Sequence, residues 1–185
     1  MANWTVDLYT TANAILPGNT LNQDLTSPFP IVVDPEGPFV QHVVQYDASL
    51  HKYDRSPIVK ATVKEPGTVT LLSVIQCTDG HFKTTGYACM KKSMQGHWLI
   101  APVYADNYKS AFALIFGLLS DLDDSQRREG VVAKLTSSNS EAAKLFLQFG
   151  MKKSQYQLRR LFTKRVFEIP ESKIFALQSS VFCTE

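Results

Sequence analysis

Apolar runs of strand length follow one another through the middle of the chain. Thr68–Cys77, Thr84–Met90 and His97–Val103 are rich in β-branched or aromatic residues, which is typical of strands. The turn dipeptide Asp79-Gly80 separates the first two, and the three runs together predict an antiparallel meander. In Phe39–Leu50, which is rich in Val and Tyr, apolar and polar residues roughly alternate, and we interpret it as an earlier strand.

Two stretches on either side of the meander carry helix signals. Pro57 stands in the first turn of a short predicted helix that ends before Pro66-Gly67. Asn107 can cap Tyr108–Leu122, a stretch that is apolar around most of a helical circumference. Because so little of its surface is polar, this second helix is expected to be covered by other elements on most sides.

A strand and another helix follow. Gly130–Leu135 is a predicted strand, and Ser138 with Glu141 has the spacing of a capping box for the next helix. That helix presents one apolar face and ends at Gly150, which suits a left-handed C-cap. The apolar face is formed by residues spaced three and four apart, namely Ala142, Leu145, Phe146 and Phe149.

Two closing strands are predicted, at Tyr156–Phe162 and Ile174–Ser179. The order β-α-β-β-β-α-β-α-β-β then predicts an α/β (α+β) fold with a mixed, mostly antiparallel sheet flanked by helices. The helix-linked step from 97–103 to 130–135 predicts two adjacent parallel strands. Pro102 cannot donate a hydrogen bond within a sheet, so these two strands are expected to separate near it.

The first 38 residues differ in composition from the rest. They hold five of the nine prolines, and proline at this density prevents long helices and central strands. The chain is therefore divided into a proline-rich N-terminal arm, 1–38, and one domain, 39–185. For about the first 20 residues, a loosely ordered tail is an equally good interpretation.

The composition excludes several classes of protein. With 44% apolar residues and a net charge of +2, the 185-residue chain can build a core but is too weakly charged for nucleic acid or membrane as its main partner. Its three cysteines are widely spaced and its four histidines lack ligand spacing, so neither a disulfide framework nor a metal site is expected. No signal peptide or membrane span is recognised, which predicts a soluble cytoplasmic protein.

Several side chains that could carry chemistry have a plainer structural interpretation. Tyr104 is a general acid, a substrate-facing group or a half-buried core tyrosine, and the core is favoured. Cys89 is interpreted as a small core residue, and His97 as structural or exposed. The basic pairs are interpreted as a solvated face; they are Lys152-Lys153, Arg159-Arg160 and Lys164-Arg165.

Two segments resemble the GNAT N-acetyltransferase superfamily. The first is Asn139-x-x-Ala142-x-x-Leu145-Phe146-x-x-Phe149-Gly150-Met151, which is similar to the family signature N-x-x-A-x-x-L-Y-x-x-x-G-F. The second, Trp98–Asp106, resembles an I-G-P-L-Y-A-D stretch in the C-terminal half of tandem, mostly uncharacterised members. The resemblance covers about residues 39–183.

This resemblance implies a GNAT-like sheet whose central parallel strands splay apart to form a cofactor wedge. The pantetheine arm of acetyl-CoA would bond to the free backbone of one strand, and the next helix would offer its N-terminal amides to the pyrophosphate. Asn139 would contact the cofactor from the following helix. The implied cofactor-binding residues are Ala101, Val103, Tyr104, Asn107, Tyr108, Lys109, Ser110, Asn139 and Phe146. No catalytic residue and no metal is assigned.

The chain also departs from the family pattern. Phe146 occupies the position of the family's general-acid tyrosine and is expected at the mouth of the wedge, but it has no proton to give. No glycine lies between Gly96 and Gly117, where the pyrophosphate loop would be, and Asp106 would place a negative charge there.

Two functions are therefore predicted. The first is an acyl-CoA-dependent N-acetyltransferase that transfers an acetyl group to an unidentified amine by direct attack in a ternary complex. The alternative is a catalytically inactive GNAT-fold binding or regulatory module. Acyl-CoA and an amine acceptor are the partners expected of the enzyme, and a homodimer is left open.

Overall fold

An eight-stranded sheet organises the protein in the computed structural model, which describes residues 5–18, 27–51, 53–159 and 169–178. The strands are β1 Thr5–Thr11, β2 Phe29–Val32, β3 Val69–Gln76, β4 Phe82–Lys92, β5 Trp98–Ala105, β6 Val131–Thr136, β7 Lys152–Arg159 and β8 Ile174–Ala176. The helices are α1 Phe39–Leu50, α2 Ser56–Lys64, α3 Tyr108–Ser120, α4 Asp124–Arg127 and α5 Ser140–Gln148, with a 3-10 turn at Glu171–Lys173.

The strand order across the sheet is β2-β3-β4-β5-β6-β1-β7, and β8 pairs with β5 off this path. Strands β3, β4 and β5 form the predicted antiparallel meander. Only β5 and β6 are parallel among the described pairs, and α3 with α4 makes the crossover between them. The predicted mixed, mostly antiparallel fold with a central parallel pair is confirmed.

The prediction of a strand at Phe39–Leu50 is wrong, because this stretch is helix α1. Its buried residues recur three and four positions apart, which is the period of a helix that packs one face; they are Val40, Val43, Tyr46, Asp47 and Leu50. The density of Val and Tyr favoured a strand, but tertiary packing overrides a local preference of this size. The helix predicted after it is confirmed as α2, with Pro57 in its first turn.

The N-terminal segment supplies two strands of the same sheet. Strand β1 lies between β6 and β7, antiparallel to both, and β2 pairs with β3 at the opposite side of the sheet. Strand β7 starts four residues before the predicted strand Tyr156–Phe162, and residues 160–162 of that prediction lie outside the described ranges. Strand β8 confirms the start of the predicted strand Ile174–Ser179, whose last residue also lies outside those ranges.

Two apolar cores lie on opposite faces of the sheet. The larger contains α3 and α5, and the smaller contains α1 and α2. Successive side chains of a strand point to opposite faces, so β1 sends Val6 into the smaller core and Tyr9 into the larger one. No helix of the described ranges is long and apolar enough to cross a membrane.

The ends of α5 differ in part from the prediction. Its N-cap is Asn139, whose side-chain oxygen accepts from the Ala142 N–H at 3.0 Å, so the predicted capping box at Ser138 is wrong by one residue. At the other end Gly150 has a φ of 78°, the left-handed conformation that was predicted for it. The capping residue Asn139 also donates a hydrogen bond to the start of β8.

Candidate cofactor wedge

The parallel strands β5 and β6 form a wedge. They pair over 98–100 of β5 and 131–133 of β6, and then separate. The separation begins at the cis peptide Ala101-Pro102, where proline has no N–H with which to continue the ladder. The predicted splay near Pro102 is confirmed, and residues 101–105 of β5 lie beyond the paired part.

Strand β8 fills the open part of this wedge. It runs antiparallel to β5, with Ala176 opposite Val103 and Ile174 opposite Tyr104. Directly after β8, the Leu177 N–H donates to the Lys134 carbonyl oxygen of β6 at 2.8 Å. The C-terminal segment therefore joins the two splayed strands, and the β5 edge that the resemblance implied to be free is hydrogen-bonded.

The side chains of this segment are buried on both faces of the sheet. Ile174, Phe175 and Ala176 are at most 1% exposed, and Leu177 is 7% exposed. Ile174 and Leu177 belong to the smaller core, whereas Phe175 and Ala176 belong to the larger one. The segment thus contributes side chains to both cores as well as backbone to the sheet.

Asn139 connects the start of α5 to the same segment. Its side-chain oxygen caps the helix, which leaves the NH₂ group free to donate. That group lies 2.9 Å from the Ile174 carbonyl oxygen and 3.2 Å from that of Glu171. Asn139 is only 6% exposed, and its amide donors are taken by the carbonyl of Glu171, which begins the 3-10 turn, and by that of Ile174, which begins β8.

An ion pair closes the other side of the 3-10 turn. The Lys173 ammonium lies 2.9 Å from a carboxylate oxygen of Asp106, in the loop between β5 and α3. The Tyr46 hydroxyl of α1 donates to the same oxygen at 3.1 Å. Asp106, which would have faced the phosphates of a cofactor, instead holds a lysine of the wedge-filling segment.

A buried polar cluster secures the end of the segment. Burial raises the pKa of Asp47. Two neighbours oppose that rise: the Tyr87 hydroxyl donates to the carboxylate at 2.7 Å, and the Arg55 guanidinium lies 3.4 Å from it. Arginine only donates, so His51 Nε2 accepts from Arg55 at 2.7 Å. Another Arg55 N–H donates to the Gln178 side-chain oxygen at 2.7 Å, which fixes the residue after Leu177 to this cluster.

Two tyrosines of the central strands lie in the same core. Tyr87 and Tyr104 are 2% exposed with ring centroids 5.5 Å apart, and burial raises the pKa of each phenol. Tyr104 is thus a core residue, as the plainer interpretation predicted. Cys89 is also buried, and burial raises the pKa of its thiol to about 12, which leaves it a neutral core residue rather than a nucleophile.

A sequence model of the acetyltransferase (GNAT) domain matches residues 43–176. The chain belongs to the GNAT acetyltransferase family. The match spans both strands of the wedge and includes β8, and it confirms the resemblance drawn from the two sequence motifs.

Two solved structures share the GNAT fold with this chain. One is a protein from Pyrococcus horikoshii, provisionally assigned as an acetyltransferase, with a TM-score of 0.63, 14% identity and 97% of this chain covered. The other is a functionally unknown conserved protein from Staphylococcus epidermidis, with a TM-score of 0.53, 12% identity and 82% covered. The chain spans 52% and 58% of their lengths, or little more than half. No curated protein matches the chain.

The residues that the GNAT resemblance implied for the pantetheine arm are all buried. Ala101, Val103 and Tyr104 lie within β5, and the last two stand opposite β8. Phe146 is fully buried in the larger core, so its expected position at the mouth of the wedge is wrong. The cause is the apolar face of α5, which turns toward the sheet and takes Phe146 with it.

The residues implied for the pyrophosphate lie at the start of α3. Asn107 caps the helix as predicted, by accepting from the Ser110 N–H at 3.0 Å. The Ser110 side chain is buried and the Tyr108 hydroxyl donates to α5, whereas Lys109 is exposed. Lys109 is therefore the cationic side chain of this group that an anionic ligand could reach from solvent. The neighbouring Asp106 pairs with Lys173 of the 3-10 turn, and Asn139 bonds to Glu171 of the same turn.

The wedge does not fit a pantetheine arm while β8 occupies it. The arm would need unpaired backbone at Val103 and Tyr104 and the volume that Ile174 and Phe175 fill. The GNAT family uses acetyl-CoA, but in this chain the described backbone along the open half of the wedge is already bonded to the chain itself. Within the described ranges, no group of three or more His, Cys, Asp or Glu side chains could hold a metal ion.

Sequence reasoning missed the polar cluster of Asp47, His51 and Arg55. The interpretation of Phe39–Leu50 as a strand gave no reason to group Asp47 with the other two residues. The spacing of four between Asp47 and His51 is a signal that could have found part of the cluster, since it is the spacing of neighbours at the end of a helix. Arg55 lies beyond α1, immediately before α2, so helical spacing did not indicate it. Gln178 carried no signal of its own, because its partners are more than a hundred residues away.

Proposed function

We propose that this domain is a binding module with the GNAT acetyltransferase fold and that it does not bind acyl-CoA in its wedge. The observation that carries the proposal is the antiparallel pairing of β8 with residues 103–104 of β5. The family's cofactor bonds to that strand edge, and a strand edge can satisfy only one partner at a time. Here the partner that competes with the cofactor is β8, a strand of the same chain.

Energy estimates support this proposal. Three large apolar side chains, Ile174, Phe175 and Leu177, are buried by the segment, and at about 1.5–3 kcal/mol each they contribute roughly 4.5–9 kcal/mol. A micromolar ligand binds with about −8 kcal/mol. If opening costs even the lower figure, the apparent affinity for acetyl-CoA falls by roughly three orders of magnitude, to the millimolar range.

A second candidate is the acyl-CoA-dependent N-acetyltransferase that acts on an amine. Membership of the GNAT family favours it, as does the position of the exposed Lys109 at the capped start of α3. In that case β8 would have to leave the wedge before the cofactor entered. Residues outside the wedge would then determine which acyl group and which acceptor amine the enzyme uses.

Isothermal titration with acetyl-CoA separates the two candidates. The binding module predicts no saturable heat and no rise in melting temperature at about 0.1 mM acetyl-CoA, which would saturate a micromolar site, because the wedge stays closed. The enzyme predicts micromolar binding that weakens in Lys109→Glu but not in Lys152→Glu, a matched charge reversal on an exposed lysine of β7. Micromolar binding with that difference between the variants would overturn the binding-module proposal.

A further inference from the structure

The half of the sheet around β1 and β6 carries a groove on the face that α1 and α2 share. On β1, Leu8 and Thr10 have the same parity as Val6 and so point to that face. Opposite them on β6 stand Lys134 and Val132. Helix α1 packs on β4 and α2 packs on α1, and these four groove residues are not fully buried.

This β1–β6 groove has the size and floor of a small-molecule site. Its volume is about 750 Å³, within the usual range for such sites. Leu8, Leu99 and Val132 form a partly exposed apolar floor. The walls come from the β4–β5 turn, which supplies Ser93, and from the loop between α4 and β6, which supplies Arg128.

The charges in the groove favour an anion. Arg128 is exposed, and its guanidinium has no hydrogen-bond or ion-pair partner among the described residues. The acid of the lining, Glu129, is neutralised, since Lys92 lies 2.8 Å from one carboxylate oxygen and the Trp98 N–H donates to the other at 3.0 Å.

A polar wall residue adds an independent observation. The Ser93 hydroxyl is shielded from solvent and has no hydrogen-bond partner within the described part of the chain. A buried polar group without a partner costs about 1–3 kcal/mol, and a ligand oxygen in the groove would relieve it. The groove thus combines an apolar floor, a surplus of positive charge and a hydroxyl able to donate.

We propose that the β1–β6 groove binds a small molecule that has one anionic group on an apolar body. The anionic group, a carboxylate or a phosphate, pairs with the Arg128 guanidinium, and the apolar body covers Leu8, Leu99 and Val132. Because Arg128, Leu99 and Val132 lie at the paired end of β5 and β6, the proposal does not depend on whether the wedge binds acetyl-CoA.

NMR titration of the full chain with octanoate, octyl phosphate and octylamine tests the proposal. Both anions are expected to bind saturably with shifts at Leu8 and Val132, whereas octylamine is expected not to. Arg128→Gln should weaken the anions about tenfold, the effect of a charge-assisted hydrogen bond. The matched variant Arg159→Gln, which removes the same charge from an exposed site on β7, should change them less than about twofold.

Three results would overturn the proposal. Equal binding of octylamine and octanoate would show that charge does not select the ligand. Equal weakening by the two arginine variants would show a general effect of net charge. Saturable binding of a polyglutamate peptide, without binding of either octyl anion, would assign the groove to an acidic polypeptide instead. If only one anion binds, the proposal holds for that head group.

Discussion

Asn139 uses both ends of its side-chain amide, and this one residue links helix capping to the closure of the wedge. Its oxygen accepts from the Ala142 N–H, and its NH₂ group donates to carbonyls of the segment that fills the wedge. The family motif singled out this position in the sequence. Its partners lie more than thirty residues further along the chain, and no local pattern indicated them.

Asn139→Asp tests this double role. The change keeps the capping oxygen but removes the donors and sets a carboxylate against the Glu171 and Ile174 carbonyl oxygens. We expect the free energy of unfolding, measured by urea denaturation, to fall by about 2–3 kcal/mol. Ser138→Ala is the control, because the exposed Ser138 is not the cap, and it should change stability by less than about 0.5 kcal/mol. Equal losses in the two variants would contradict the assignment.

At the scale of elements, local sequence patterns predicted most strands and helices, but they did not predict where every strand lies in the sheet. The meander, α3 and the parallel step could be predicted because alternation, caps and breakers agree there. The assignment of α1 failed because β-branched residues outweighed a helical spacing that was also present. Strand β8 was predicted as a strand, but its place in the wedge could not be, since pairing with β5 spans about seventy residues.

Phe175→Ala measures how firmly β8 belongs to the fold. Phe175 is 1% exposed within the larger core, and a buried Phe replaced by Ala costs about 3–5 kcal/mol through lost burial and the cavity left behind. Leu158→Ala on β7 is the matched control, since Leu158 is 51% exposed and should cost less than about 1 kcal/mol. Denaturant unfolding of both variants gives the comparison. A loss for Phe175→Ala no greater than the control would mean that β8 packs loosely.

At the scale of the whole molecule, the C-terminal segment closes the space that the GNAT fold opens. Four kinds of contact hold the same ten residues, 169–178. They are the backbone pairing to β5, the Leu177 hydrogen bond to β6, the Lys173–Asp106 ion pair and the Arg55–Gln178 hydrogen bond. The sequence indicated where cofactor binding was in doubt, through the glycine-free loop and Phe146. It did not indicate that β8 fills the wedge, because that pairing depends on tertiary structure.

Native-state hydrogen exchange at the Leu177 amide tests this closure most directly. Leu177 donates to β6 at the splayed end of the wedge, and Trp98 donates to the Gly130 carbonyl at 2.9 Å at the paired end, so Trp98 is an internal reference. If β8 is an integral strand, the two amides should exchange within about tenfold of each other, because both require a large opening. Millimolar acetyl-CoA should change neither rate. Exchange at Leu177 that is about a hundredfold faster than at Trp98, or that accelerates when acetyl-CoA is added, would contradict a wedge closed by its own chain.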